Sequence, residues 1–398
     1  MITVQEARKI ISTTTRDFGI ESVPLTKAVG RILREPLIAD RDFPPYDRVT
    51  MDGIALRFAD YAVGNRTFKI NGIGAAGQPQ ITLSEANTCV EIMTGAMLPN
   101  GADTIIRYED LRTENNHAFV TVETIKAGLN VHRKGSDRPQ GSELLQAGYQ
   151  LNAAAIGIAA TVGKAELKVS KQPKVIILST GDELVEIAAK PLPHQIRKSN
   201  VYQLLVMLQG FGISAVHRHL NDDLAEITSI LKEILTEYDV VLMSGGVSKG
   251  KFDFLPEAMH QLGVQKLFHK IKQRPGKPFW FGQYPEGATV FAFPGNPVSS
   301  FMCGQIYFIP WLQKCLGLPA LATQYAALTA PIYFKPDLTY FAQVKITTDK
   351  SGKLLATPIE GNGSGDLANL VSANAFLEVP SGKDVFEKGT VLPFIKVS

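Results

Sequence analysis

Val240-Val-Leu-Met-Ser-Gly-Gly-Val-Ser-Lys-Gly-Lys-Phe-Asp253 is the stretch whose reading decides the fold. Four apolar residues, 240–243, make a short strand with no polar face. Such strands are buried on both sides, as in a parallel sheet. The strand runs straight into Ser244-Gly-Gly246, and the segment ends on Asp253. Reading outward, the same punctuation recurs upstream. Val175–Leu178 leads into Ser179-Thr-Gly-Asp-Glu183, and a strand over 214–220 leads into Asn221-Asp-Asp223. Helical periodicity fills the gaps, at about 199–210 and 224–237. Asp223 caps the second helix, with Glu226 at its third position. Strand and helix alternating at this spacing predict a three-layer α/β domain with a mostly parallel sheet. Downstream, Asn296-Pro297 predicts a helix start, and that helix carries Val298 to about Leu316.

The flanks read differently. Residues 3–18 place Val4, Ala7, Ile10 and Ile11 at helical spacing, and Thr3 with Glu6 forms a capping box. A second short helix is expected at 25–31, then a turn-rich break at Asp40-Arg-Asp-Phe-Pro-Pro-Tyr-Asp47. From 49 to about 138, short β-rich runs alternate with Gly, Pro and Asn clusters, which predicts a small, mainly antiparallel domain. Residues 139–170 return to helical character and are expected to pack back on the N-terminal segment. Beyond Pro319 the segments are short, β-branched and broken by turns, which predicts a C-terminal β-barrel or sandwich. The expected domains are therefore 1–40 plus 139–170 (a discontinuous linker domain), 41–138 (small and β-rich), 171–321 (α/β) and 322–398 (β-barrel-like).

Composition sets outer bounds. With 398 residues the chain is long enough for two to four domains. Lys plus Arg is 41 and Asp plus Glu is 38. So balanced a charge argues against nucleic acid or a membrane surface as partner. Cys89, Cys303 and Cys315 are too few and scattered for a disulfide framework, and the last two read as small hydrophobes. The histidines form no HExxH or Cys/His metal spacing. There is no run of about 20 apolar residues to span a bilayer and no signal-peptide pattern at the N-terminus. The chain reads as cytoplasmic.

Two familiar motifs are discounted on physical grounds. Gly72-Ile-Gly-Ala-Ala-Gly77 spells a dinucleotide fingerprint, but Pro79 and a β-like stretch follow where a helix must begin. Gly245 to Lys251 spells the first seven positions of a P-loop, but Phe252 occupies the eighth, where Ser or Thr coordinates magnesium. What remains is a glycine loop at the carboxyl end of a buried strand, where ligands of such sheets bind. Its amides suit an anion nest, with Ser244 and Ser248 as added donors. Asp182, Glu183, Asp222 and Asp253 lie at neighbouring strand ends and suit Mg²⁺ held between protein and phosphate. Asp223, as a helix cap, is the weaker choice of its pair. In His269-Lys-Ile-Lys-Gln-Arg-Pro-Gly-Lys-Pro278, a strand would put Lys270, Lys272 and Arg274 on one face, suited to an oxyanion. Phe293-Pro-Gly-Asn-Pro-Val-Ser-Ser300 adds a helix N-terminus. No Ser-His-Asp or Cys-His arrangement can be inferred, so the chemistry reads as charge handling without a covalent nucleophile.

Together these segments resemble the molybdopterin molybdenumtransferase family, which includes the E domain of gephyrin. The motifs are Pro44-Pro-Tyr-Asp-Arg-Val-Thr-Met-Asp-Gly53, Met93-Thr-Gly-Ala96, Pro99-Asn-Gly-Ala-Asp103 and Gly135-Ser-Asp137. In the α/β domain they are Leu178-Ser-Thr-Gly-Asp-Glu-Leu184, Ser244 to Asp253, Arg274-Pro-Gly-Lys-Pro278 and Pro294-Gly-Asn-Pro-Val-Ser299. The resemblance implies a homodimer of four-domain subunits that inserts molybdate into adenylylated molybdopterin with Mg²⁺ and releases AMP. It implies contact with the adenylyltransferase and with apo-molybdoenzymes. By position it implies catalytic roles for Asp52, Thr94, Asp137, Glu183, Asp222 and Asp253. Ser179, Thr180, Gly181, Ser244, Gly245, Gly246, Ser248, Lys270, Arg274, Lys277, Pro294, Asn296, Pro297 and Ser364 are the matching ligand-binding candidates. Arg274 stands where lysine is common, Val49-Thr50 replaces a more polar pair, and Lys249 replaces a small apolar residue. Two rivals exist: the related adenylyltransferase, which needs neither the N-terminal half nor the C-terminal β domain, and a gephyrin-like scaffold that anchors receptors.

Overall fold

The computed structural model describes every residue except 247–253, 286, 321, 362, 364 and 398. By contact the chain forms two compact units. One comprises 1–35, 147–156 and 165–398; the other comprises 36–146 and 157–164.

The larger unit is built on a six-stranded sheet. Its strand order is Val216–Leu220, Val175–Thr180, Val240–Ser244, Thr289–Phe293, Trp280–Gln283, Gln265–His269. The first four are mutually parallel, and Trp280–Gln283 runs against both its neighbours. The mostly parallel sheet is as the alternation predicts. Strand parity divides the core. Val175 and Ile177 face Leu204 and Leu208 of the helix Ser199–Gln209, together with Val298 and Met302. Ile176 and Leu178 face Ile227 and Leu231 of the helix Leu224–Glu237 and Leu255 of Leu255–Gln261. Helices on both faces explain why Val175–Leu178 and Val240–Met243 carry no polar side chains.

The order of these strands places the site. From Val175–Thr180 the chain crosses to one side, to Val216–Leu220, then returns to the other side, to Val240–Ser244. The crossovers diverge between the strands that end at Thr180 and Ser244. In doubly wound sheets a ligand crevice opens at that point.

The N-terminal helix Val4–Thr13 buries Val4, Ala7 and Ile11 in the same core, and its Thr3–Glu6 capping box forms as expected. It stops well short of Phe18, and the second expected helix shrinks to one turn at Leu25–Lys27. The reason is tertiary. The Gly30 amide donates to the Leu151 carbonyl at 2.7 Å and the Arg31 carbonyl accepts from the Leu151 amide at 2.9 Å. Backbone groups that a longer second helix would need are thus already paired, and Ile20–Pro24, between the two expected helices, pairs antiparallel with Glu166–Ser170. The helix expected from Val298 to Leu316 forms as Pro297–Cys303 and Ile309–Cys315, joined by a π-helical stretch at Gly304–Phe308. All three cysteines are buried and unpaired. Burial pushes the Cys303 thiol up, and the Cys89 and Cys315 thiols to about 12 and about 11.

The C-terminal strands Gln324–Leu328, Thr339–Thr348, Leu354–Pro358, Ala375–Val379 and Val391–Lys396 close on themselves into a five-stranded barrel. Closure removes sheet edges that would otherwise template association.

The second unit holds another six-stranded sheet. Its order is Thr104–Arg107, Gly53–Leu56, Thr88–Ile92, Thr67–Gly74, His117–Val120, Leu111–Glu114. All its pairings are antiparallel except that of Thr67–Gly74 with Thr88–Ile92. The GxGxxG motif runs off the end of Thr67–Gly74 into a turn with no helix behind it, as its Pro79 predicts.

Candidate active site

Across the sheet, His219, Ser179, Ser244 and Phe293 are register partners. Four strand ends therefore stop at one height, and their loops open together. Between them lies a cavity of about 610 Å³. Ser179, Thr180, Gly181 and Glu183 line it from the first loop, and Ser244, Gly245 and Gly246 from the second. Asp222, Pro294, Asn296 and Pro297 complete the set of expected residues on its wall.

The glycine loop is conformationally specific. Gly245 and Gly246 have φ of +94° and +69°, a region that favours glycine. A Cβ on Gly246 would lie 2.6 Å from Leu255 Cδ1 and 2.8 Å from Thr180 Oγ1. The Gly245 amide donates to the Phe293 carbonyl at 3.2 Å. That amide therefore belongs to the sheet and is not available to the nest expected from the sequence, whose remaining residues 247 and 248 lie outside the described residues. Asn200 Nδ2 donates to Ser244 Oγ at 2.8 Å and to the Gly295 carbonyl at 2.7 Å. One amide group thus ties two loops of the wall together. Asn296 stands at the N-cap of Pro297–Cys303, but its side chain makes no cap hydrogen bond.

The acidic loops also meet. The Asp222 amide approaches Asp182 Oδ1 at 3.4 Å. Asp223, by contrast, accepts from the Glu226 amide at 2.8 Å as the cap of its helix. Among the described residues no group of three His, Cys, Asp or Glu side chains is arranged to hold a metal. Asp253 and Ser248, and also Ser364 and Lys249, lie outside the described residues.

The basic segment departs from expectation. The strand Gln265–His269 ends before Lys270, whose φ is +73°. Gln273–Arg274 pairs instead with Thr339–Tyr340 of the barrel. Lys270, Lys272 and Arg274 therefore do not share one strand face. A positive φ breaks the two-residue period, and Lys272 lies 3.7 Å from Asp337. Lys270, Arg274 and Lys277 are absent from the described cavity wall, where Pro278 represents their segment.

Residues not expected from the sequence stand in their place. The described cations on the wall are Arg197 and Lys198. Leu184–Val185 pairs in parallel with Ile196–Arg197, and the Lys198 amide donates to the Val185 carbonyl at 3.1 Å. Lys198 is only 6% exposed, and its ammonium donates to Glu186 Oε1 at 2.5 Å. Behind the wall, Ser179 Oγ is 3.0 Å from both His217 Nε2 and His219 Nδ1. Burial, then the Lys198 charge, lowers both imidazole pKa values. The two-residue spacing of His217 and His219 was readable as one strand face. Nothing local to Lys198 announced that it would be buried.

In the second unit, Thr94 donates its amide to Asp52 Oδ1 at 2.6 Å. Gly53 and Ile92 are register partners, which brings the flanking Asp52 and Thr94 together. That amide and then the Thr94 hydroxyl hold the Asp52 carboxyl below its ordinary range. Asp137 Oδ1 lies 2.8 Å from His132 Nε2.

Comparison with known proteins agrees along the chain. Residues 2–163 match the MoeA N-terminal region (domain I and II). Residues 176–314 match a probable molybdopterin binding domain, and 325–397 the MoeA C-terminal region (domain IV). A molybdopterin molybdenumtransferase of a Synechocystis species is 40% identical over 397 residues, 99% of each chain. One from Synechococcus elongatus is 34% identical over 94% of this chain and 93% of its own. The crystal structure of a molybdopterin biosynthesis MoeA protein from Pyrococcus horikoshii superposes with a TM-score of 0.82. It is 28% identical, and the alignment covers 100% of this chain and 99% of that one.

Proposed function

Because the chain belongs to the molybdopterin molybdenumtransferase family, we propose that it inserts molybdenum from molybdate into adenylylated molybdopterin and releases AMP. The observation that carries this reading is the cavity at the switch point, where a glycine loop, a Ser-Thr-Gly turn and paired acidic loops meet.

Each part has a task. The loop from Ser244 to Ser248 is assigned to a phosphate, with the Gly246 amide as its described backbone donor. The Ser244 hydroxyl accepts from Asn200, so its own proton is available to a phosphate oxygen. Mg²⁺ commonly needs only one or two carboxylates beside substrate phosphates. The approach of the Asp182 and Asp222 loops fits that requirement, so Asp182, Glu183, Asp222 and Asp253 would hold it and it would neutralise phosphate charge. Glu183 and Asp222 also orient the water that cleaves the phosphoanhydride. Thr180, Gly181, Pro294, Asn296 and Pro297 shape the wall that positions the pterin nucleotide. Lys270, Arg274 and Lys277 are assigned to molybdate, and Ser364 to ligand binding. Asp52, Thr94 and Asp137 are assigned to the same reaction, contributed by the second subunit of a homodimer. The four-domain division with boundaries at 40, 138, 170 and 321 belongs to this reading, as does a cytoplasmic setting. Among the described residues no helix is long and apolar enough to cross a membrane.

The test is AMP release from adenylylated molybdopterin with molybdate and Mg²⁺. Wild-type protein should release AMP stoichiometrically with cofactor formed. Asp253→Asn should lose the release by at least a hundredfold while keeping its circular dichroism spectrum. Normal turnover in that variant would remove the carboxylate from the mechanism. No release by the wild type, with tight capture of a receptor tail, would favour the scaffold.

A further inference from the structure

Lys198 occupies a position that stability alone does not explain. It is buried, and it immediately precedes the eleven-residue helix Ser199–Gln209. Burying an ammonium costs free energy unless it is well paired. Its partner Glu186 has a side chain that is 64% exposed, and an ion pair with so wet a partner returns little. The helix macrodipole places partial positive charge at that same end, which favours an anion and opposes a cation. Two half-buried imidazoles, His217 and His219, sit close enough for its charge to suppress their protonation. A neutral residue would satisfy this corner better. A residue that breaks local rules without local compensation marks a functional position.

The cavity supplies the missing compensation. Lys198 lines it together with Ser199, Asn200, Ser244 and Gly246. Asn200 already fixes Ser244. An anion placed among these groups would meet the ammonium, the helix end and the Gly246 amide at once. We propose that Lys198 is a specificity-determining cation of this cavity, recognising a phosphate group of the ligand, and that Glu186 is the counter-ion it surrenders on binding. The nature of the ligand as a phosphate-bearing pterin nucleotide rests on the function proposed above. The role of Lys198 rests on its own geometry.

The test uses AMP and adenosine as probes in calorimetric titrations of the full-length protein. Lys198→Met should weaken AMP at least tenfold and leave adenosine within twofold, because only the phosphate contact is lost. Lys198→Arg should recover most of the AMP affinity. Glu186→Gln should tighten AMP two- to tenfold by removing the competing anion, and this variant leaves the cavity wall intact if Lys198→Met fails to fold. The inference is overturned if Lys198→Met binds AMP within twofold of wild type. It is equally overturned if Glu186→Gln leaves AMP affinity unchanged, or if wild type binds AMP no better than adenosine. The two readings fail separately. Lys198-dependent AMP binding without AMP release from adenylylated molybdopterin sinks the transferase and keeps the anion site. Normal release that is indifferent to Lys198→Met does the reverse.

Discussion

A Cβ on Gly53 would lie 1.9 Å from the Ile106 carbonyl oxygen and 2.7 Å from Arg107 Cα. Backbone atoms cannot give way as a flexible side-chain tip can. Gly53→Ala must therefore push the Gly53–Leu56 strand off Thr104–Arg107, at a cost of about 3 kcal/mol, the upper range for overpacking. The urea midpoint of unfolding should fall accordingly. Asp52 would be displaced from the Thr94 amide that holds it at 2.6 Å, so AMP release should fall as well. A midpoint within error of wild type would show that the close approach is not rigid. The Asp-Gly pair stood out in the sequence as part of a motif, but the reason glycine is required there did not. It lies in a strand that follows some fifty residues later. The same holds at the site. Ser244, Gly245 and Asp222 were legible because strand ends mark themselves by glycine and acidic residues. Lys198 was not, because a lysine before a helix start reads as solvated surface until a parallel two-residue ladder buries it.

Caps and crossovers were legible at the scale of elements because their signals are local. Thr3 with Glu6 and Asp223 with Glu226 announce helix starts, and both helices begin there. The failures share one cause. Gly30 and Arg31 pair with Leu151, and Gln273–Arg274 pairs with Thr339–Tyr340. Pairing between segments so far apart leaves no periodic trace within either. The cap assignment can be tested against its acidic neighbour. Asp223→Ala removes an acceptor for the Glu226 amide and should cost about 1 kcal/mol, seen as a lower denaturation midpoint. It should leave AMP release within twofold. Asp222→Ala should do the opposite, sparing the midpoint and losing release. If Asp223→Ala were the one to abolish turnover, the two neighbours would have to exchange roles.

Acid tolerance is a property of the whole molecule, and its sign follows from the suppressed groups. His217 and His219 have folded pKa values below the ordinary 6.5, through burial and then the Lys198 ammonium, partly offset by Glu186. Asp182 offsets it further at His219. As pH falls through about 6.5 the unfolded chain takes up protons that the folded chain refuses, so stability declines with falling pH. Asp17, Asp47, Asp52, Glu186 and Asp349 are also held low, by amide, hydroxyl or cationic partners. Their contribution is present above the ordinary carboxylate range and is lost as pH falls through it, which pushes the same way. Stability should therefore fall in two steps. One begins as pH falls below about 6.5, the ordinary imidazole value, and one lies below about pH 4.5, where carboxylates titrate. Replacing both imidazoles, His217→Asn with His219→Asn, should flatten the upper step and leave the lower one, because asparagine keeps a partner for Ser179 but takes no proton. Denaturant midpoints between about pH 7.5 and pH 5 read the upper step directly. If the double variant retained the full wild-type slope there, the proton uptake would belong to other groups, and the Lys198 charge would not be reaching the imidazoles behind the cavity wall.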